Sequence, residues 1–189
     1  GLPGDIIFQV LAPRLFHAPA DLGDVNERFA LLARLVEQGV LEATGGTAIV
    51  LVQQLLYRGR LDEAQALLVK ASGPTASALF SWLRCVQGDY PAAIERYQDG
   101  LKQLRKVSGK RNDFLPGMPA VCYTLSLLQS RDRAQLLLAQ KFVQLVEKSR
   151  HSDEMFWIVR LLGDVASILQ GQLRFEDSDL LCSRTFLNI

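Results

Sequence analysis

Residues 55–71 constrain the fold of this chain more than any other stretch. Leu55-Leu56-Tyr57 closes an apolar helical run, Arg58-Gly59-Arg60 makes a short corner, and a second run begins at once with Leu61, Ala64, Leu68 and Ala71 on one face. This is the joint of a helical hairpin. Two helices joined so closely bury their apolar faces against each other and against neighbouring elements.

The same joint recurs along the chain. Upstream, Ile6, Ile7, Val10, Leu11, Leu15 and Phe16 form a helical stripe kinked near Pro13, where the ring removes a backbone donor. Asp21 and Asp24 then offer capping oxygens to a helix that carries Phe29, Leu32, Ala33, Val36 and Val40 and stops at Gly45-Gly46. The second hairpin covers 46–57 and 61–71 and closes at Ser72-Gly73-Pro74. A third runs from Thr75 through Val86, turns at Gln87-Gly88-Asp89-Tyr90, and restarts with Pro91 in the first helical turn, where its missing N–H costs nothing.

Val107 to Pro119, with two glycines, two prolines and several basic residues, reads as an extended loop. A fourth hairpin follows over 120–129 and 133–148, with Leu136, Ala139, Phe142, Val143 and Val146 facing the partner helix. Ser152, Asp153 and Glu154 suit the start of a fifth, covering 153–169 and 174–187 and turning at Gln170-Gly171-Gln172. No Val/Ile/Thr alternation and no Asn-Gly or Asp-Gly turn competes with this reading. The expectation is an all-α fold of five consecutive hairpins in one domain spanning 1–189. Its corners at Gly59, Gly88, Ser130 and Gly171 recur at intervals of roughly 30 to 40 residues, the range of helix-pair repeats.

Composition sets the bounds on function. A chain of 189 residues that is 49% hydrophobic and 22% charged can bury a core, and its net charge of +1 gives no global attraction to nucleic acid or membrane. Cys85, Cys122 and Cys182 are odd in number and outside any C-x-x-C spacing, which points to a reducing cytoplasm rather than a disulfide framework or a zinc site. The apolar run Ala48–Val52 meets Gln53-Gln54 long before the ~20 residues of a membrane helix. The chain reads as unexported, and its opening Gly1 fits a piece of a longer protein.

Gly88, Tyr90, Ala93 and Tyr97, with Gly100 after them, resemble the corner signature of the tetratricopeptide repeat, and Gly59, Leu61, Ala64, Leu68 and Ala71 match it with leucine in the aromatic places. Ser81 suits the small first-helix position, whereas Ala48 and Ser77 stand where the signature has tryptophan, and the regular period is not kept. The resemblance covers 46–187 and implies four tetratricopeptide-like hairpins, after a leading hairpin over 1–45, stacked as a right-handed solenoid. It also implies that first helices line a partner-binding groove, at Gln53 and Tyr57 in the second hairpin and Trp82 and Cys85 in the third. Separately, Leu101 to Pro116 resembles a stretch in the helical region that precedes the motor of bacterial SWI/SNF-type helicase-like ATPases. That likeness implies an accessory segment whose nucleotide-binding motifs lie elsewhere in a longer chain.

The sharpest charge feature is Lys102, Arg105, Lys106, Lys110 and Arg111, with no acid between Asp99 and Asp113. Such a cluster suits backbone phosphates, which give salt-dependent affinity without sequence information. A solvated helix end is the favoured explanation, since cations suit the negative C-terminus. Gly109-Lys110 is no phosphate loop, because Leu104 and Arg111 stand where that motif needs glycine and a hydroxyl. His17 and His151 lack any metal-ligand spacing, and Glu176, Asp177 and Asp179 suit a helix N-terminus better than a cation site. The functional expectation is a non-enzymatic scaffold with no cofactor or metal and no membrane or small-molecule partner. It binds a protein or the motor of its own chain. The alternatives are a nucleic-acid-contacting module and the repeat domain of a transcriptional regulator.

Overall fold

The computed structural model describes residues 22–41, 45–149 and 156–178. Eight α-helices and no strand occur among them. The chain divides into two compact units, Gly1–Leu79 and Phe80–Ile189. The helix predicted over 5–16, the cap at Ser152 and the stretch beyond Ser178 fall outside the described residues.

In the first unit, α1 (Leu22–Glu37) buries Phe29 and Leu32 and ends at Gly39, earlier than its apolar stripe suggests. Gly39 takes a left-handed φ of 69°, its N–H donates to the Val36 carbonyl, and the Val40 N–H reaches back to Leu35. This paired closure satisfies carbonyls that a helix end otherwise leaves open. Val40, expected on the buried stripe, is left 49% exposed. Gly45-Gly46, expected as the stop of that helix, instead opens α2 (Gly45–Tyr57).

Helix α2 is apolar on nearly all sides because α1 and α3 (Leu61–Leu68) both pack on it. Ala64 and Leu68, the small and large signature positions of α3, are fully buried. That helix stops at Leu68, and Lys70 and Ala71 continue in tighter turns bonded to Leu67 and Leu68. Gly73-Pro74 then starts α4 (Pro74–Val86), inside which the division between the units falls.

In the second unit, α5 (Tyr90–Ser108) is capped by Asp89, whose carboxylate accepts from the Ala92 N–H at 3.3 Å. Ala93, Tyr97, Gly100 and Leu101 form its buried stripe. Gly109, left-handed at φ 70°, ends it. Helix α6 (Met118–Gln129) is the hub, packing against α5, α7 (Arg133–Lys148) and α8 (Phe156–Leu169). Leu136, Ala139, Phe142, Val143 and Val146 are all buried on α7, as their spacing predicts. Against them Gly163 of α8 lies so close that a Cβ there would sit 2.8 Å from Val143 Cγ1. After Gly171 the predicted helix does not start at 174: Arg174 is extended, Phe175–Asp177 make a single 3-10 turn, and Ser178 is extended again. Glu176 and Asp177 therefore lie in that turn and not in the first turn of a helix.

Three of the four predicted corners share one hydrogen-bond pattern with the Gly39 turn. At Gly59 the Gly N–H donates to Leu56 and Arg60 N–H to Leu55; at Gly88 the acceptors are Cys85 and Arg84; at Gly171 they are Ile168 and Ser167. Following the first two corners, the next helix begins two residues later and buries the equivalent alanine, Ala64 or Ala93. The corner after Ser130 differs, since Arg131 takes the left-handed φ of 52° without glycine.

Candidate functional site

The four expected groove residues fall into two pairs of different character. On α2, Tyr57 is 51% exposed and Gln53 half-buried, so both present side-chain atoms at the surface. Trp82 is 3% exposed and Cys85 7%, so on α4 these two are buried. Beside Tyr57, Arg58 donates to Asn26 Oδ1 at 2.8 Å and stacks its guanidinium 4.2 Å from the Phe29 ring, which fastens the corner to α1. Burial, then the charge of Arg60, holds Arg58 below its usual value. Arg60 itself forms a bidentate pair with Glu63 at 2.6 and 2.7 Å.

The Cys85 thiol neighbours that of Cys122 on α6. This contact lowers Cys85 to about 7 and raises Cys122, with burial adding to the second shift. Neither cysteine is in a disulfide.

The basic segment divides by position. Lys102 pairs with Asp99 at 3.1 Å, and Arg105 Nε donates to the Asp113 carbonyl at 3.2 Å, so these two cations bind the chain itself. Lys106, Lys110 and Arg111 are exposed, and no ion pair engages them among the described residues. Phe114, the one aromatic beside the charges, is 8% exposed and gives no stacking platform.

An aromatic cluster fixes that segment. Tyr97 stacks on Tyr123 with ring centroids 4.3 Å apart, Phe142 stands edge-on to both, and Phe114 meets Phe142 at 6.1 Å. The Tyr97 hydroxyl donates to the Leu115 carbonyl at 2.8 Å. Burial pushes both tyrosine hydroxyls above their ordinary value, most strongly Tyr97. The loop after Gly109 is thus held at Asp113 by Arg105 and at Leu115 by Tyr97.

Held there, Asn112 forms one wall of a cleft of ≈ 320 Å³, whose other wall is Lys141, Gln144, Leu145, Lys148 and Ser149 at the end of α7. Among the described residues no acid lines it. The sequence reading did not single out these residues. Their signal is the spacing of 141, 144, 145 and 148, a surface stripe beside the buried face of α7.

Among the described residues no helix is long and apolar enough to cross a membrane, and no group of three or more potential metal-ligating side chains converges. No family model matches the chain, and no curated protein or solved structure matches it either.

Proposed function

We propose that this chain is a helical-repeat scaffold for protein–protein or intramolecular interaction, an accessory region of a bacterial SWI/SNF-type helicase-like ATPase whose motor lies in a longer chain. The supporting observation is the repeated joint: the Gly59 and Gly88 corners share hydrogen-bond pattern, restart spacing and a buried alanine. A shared joint favours a stacked, tetratricopeptide-like solenoid, in which each hairpin covers its neighbour and first helices remain to meet a partner. On that reading Gln53 and Tyr57 contribute contacts, while Trp82 and Cys85 hold the wall from inside.

Binding then needs no rearrangement of the helices, and a half-exposed aromatic such as Tyr57 serves as an anchor. The test is titration of the labelled chain with a purified motor domain of that ATPase class. Saturable binding that weakens tenfold or more with Tyr57→Ala, at unchanged helicity, supports the proposal. Binding indifferent to Tyr57→Ala and Gln53→Ala, or no binding at micromolar concentrations, counts against it.

A second reading, contact with nucleic acid, is favoured by the exposed and unengaged Lys106, Lys110 and Arg111. It predicts single-strand binding at low salt that falls steeply as salt rises.

A further inference from the structure

The geometry points to a phosphodiester-binding cleft between Asn112 and the Lys141–Lys148 stripe of α7. This inference rests on the nucleic-acid reading but places the phosphates beyond the segment on which that reading was built.

Four observations carry it. First, the described residues that line the cleft are two lysines, two carboxamides, a leucine and a serine, with no carboxylate among them, so this part of the wall bears charge of one sign. Second, Lys141 and Lys148 are exposed and make no ion pair among the described residues, whereas Lys102 and Arg105 are engaged within the chain. An approaching anion meets ammonium groups that need not first break another contact.

Third, the opposite wall is fixed before any ligand arrives. Phe114 and Leu115 are buried, and Phe114 packs on Phe142, the neighbour of Lys141. Asn112 is thereby kept across from the lysine stripe, with Lys110 and Arg111 preceding it in the chain. Fourth, Lys141 and Lys148 are two helical turns apart, about 10 Å along the axis at 1.5 Å per residue. That separation suits two phosphates along an extended backbone better than one compact anion. Gln144 between them, and Asn112 opposite, supply amide donors for phosphate oxygens. Because Phe114 is buried and the described residues that line the cleft include no ring, bases are not expected to stack on them, and binding should be indifferent to sequence.

The experiment is fluorescence anisotropy of a labelled single-stranded oligothymidylate with the intact chain, between about 25 and 200 mM salt. The variants are Lys141→Ala/Lys148→Ala in the cleft and Lys110→Ala/Arg111→Ala in the loop. Arg34→Ala/Lys70→Ala in the other compact unit controls for lost net charge. If the cleft holds two phosphates, the cleft variant lowers the log–log salt slope by about 1.4, at ~0.7 per phosphate on single strands, and weakens low-salt binding at least fivefold. The control leaves both quantities unchanged.

Loss with the loop variant and none with the cleft variant overturns the cleft while sparing the loop reading. Loss with the cleft variant alone does the reverse. Equal loss in the cleft variant and the control shows nonspecific charge attraction and overturns the cleft, and absence of wild-type binding at the lowest salt overturns both.

Discussion

Tyr97→Phe is the substitution whose consequence the structure specifies most fully. The ring keeps its stacking on Tyr123 and its edge contact with Phe142, so packing volume and aromatic geometry change little. What is lost is the 2.8 Å bond from the hydroxyl to the Leu115 carbonyl, in a place where the side chain is fully buried and the acceptor's own residue is 7% exposed. Leaving a buried carbonyl unpaired costs about 1–3 kcal/mol. At ~4–8 °C per kcal/mol for a unit of this size, the melting temperature should fall by roughly 4–24 °C. Circular dichroism melts at pH 7 measure this directly.

The same residue sets an alkaline signature. Its hydroxyl is raised in the folded state, so below the unfolded value of ~10 the tyrosine is neutral in both states and its contribution is fully present. As pH climbs past that value the unfolded chain ionises first, and stability falls until the folded hydroxyl also titrates. Tyr97→Phe should remove up to ~1.4 kcal/mol of loss per pH unit above 10, leaving the smaller share due to Tyr123. A variant that melts within about 1 °C of wild type at pH 7, with an unchanged alkaline slope in urea titrations, would refute the assignment of the Tyr97–Leu115 bond as the anchor of the loop.

Three further substitutions test the packing. Gly163→Ala should destabilise by about 1–3 kcal/mol through its clash with Val143, despite the better helix propensity of alanine, and Val143→Ala in the same chain should recover part of that loss in urea melts. Ser81→Ala should be neutral or stabilising by up to ~1 kcal/mol, because the Ser81 hydroxyl is fully buried and has no hydrogen-bond partner; a clear drop in melting temperature would reveal a partner for it. Arg131→Gly should stabilise by about 0.5–1 kcal/mol, since a left-handed arginine costs ~1–2 kcal/mol and glycine returns part of that gain as chain entropy; a loss in thermal melts would contradict it.

The features legible in the sequence are those decided by local geometry. Gly59 and Gly88 announce corners because each stands between two helical stripes, and the five buried positions of α7 follow from their three- and four-residue spacing alone. Gly39 was passed over for a different reason: Val40 is apolar and continues the stripe, but the backbone closure at Gly39 outweighs the burial of one more valine. The acids after Arg174 look like a helix start, yet Phe175–Asp177 form a 3-10 turn there.

The site divides along the same line. Tyr57 and Trp82 are both aromatic residues on first helices, and only tertiary packing makes one half-exposed and the other core. The cleft is less legible still. Asn112 and Lys141 meet because Phe114 packs on Phe142, a contact between rings far apart in sequence that no local pattern encodes. Lys102 and Arg105 look equivalent to Lys110 and Arg111 in the sequence, and only the structure shows the first pair engaged by Asp99 and the Asp113 carbonyl.

The central proposal, a preformed scaffold that docks a motor domain through the first-helix surface, is tested most directly by amide hydrogen exchange of the chain with and without a saturating SWI/SNF-type motor domain. Slowed exchange centred on Gln53–Tyr57 and the Gly59 corner, with the helices protected to the same extent beforehand, is the expected result. Exchange unchanged across α2 at saturation, or helices that gain protection only when the motor is added, would contradict it.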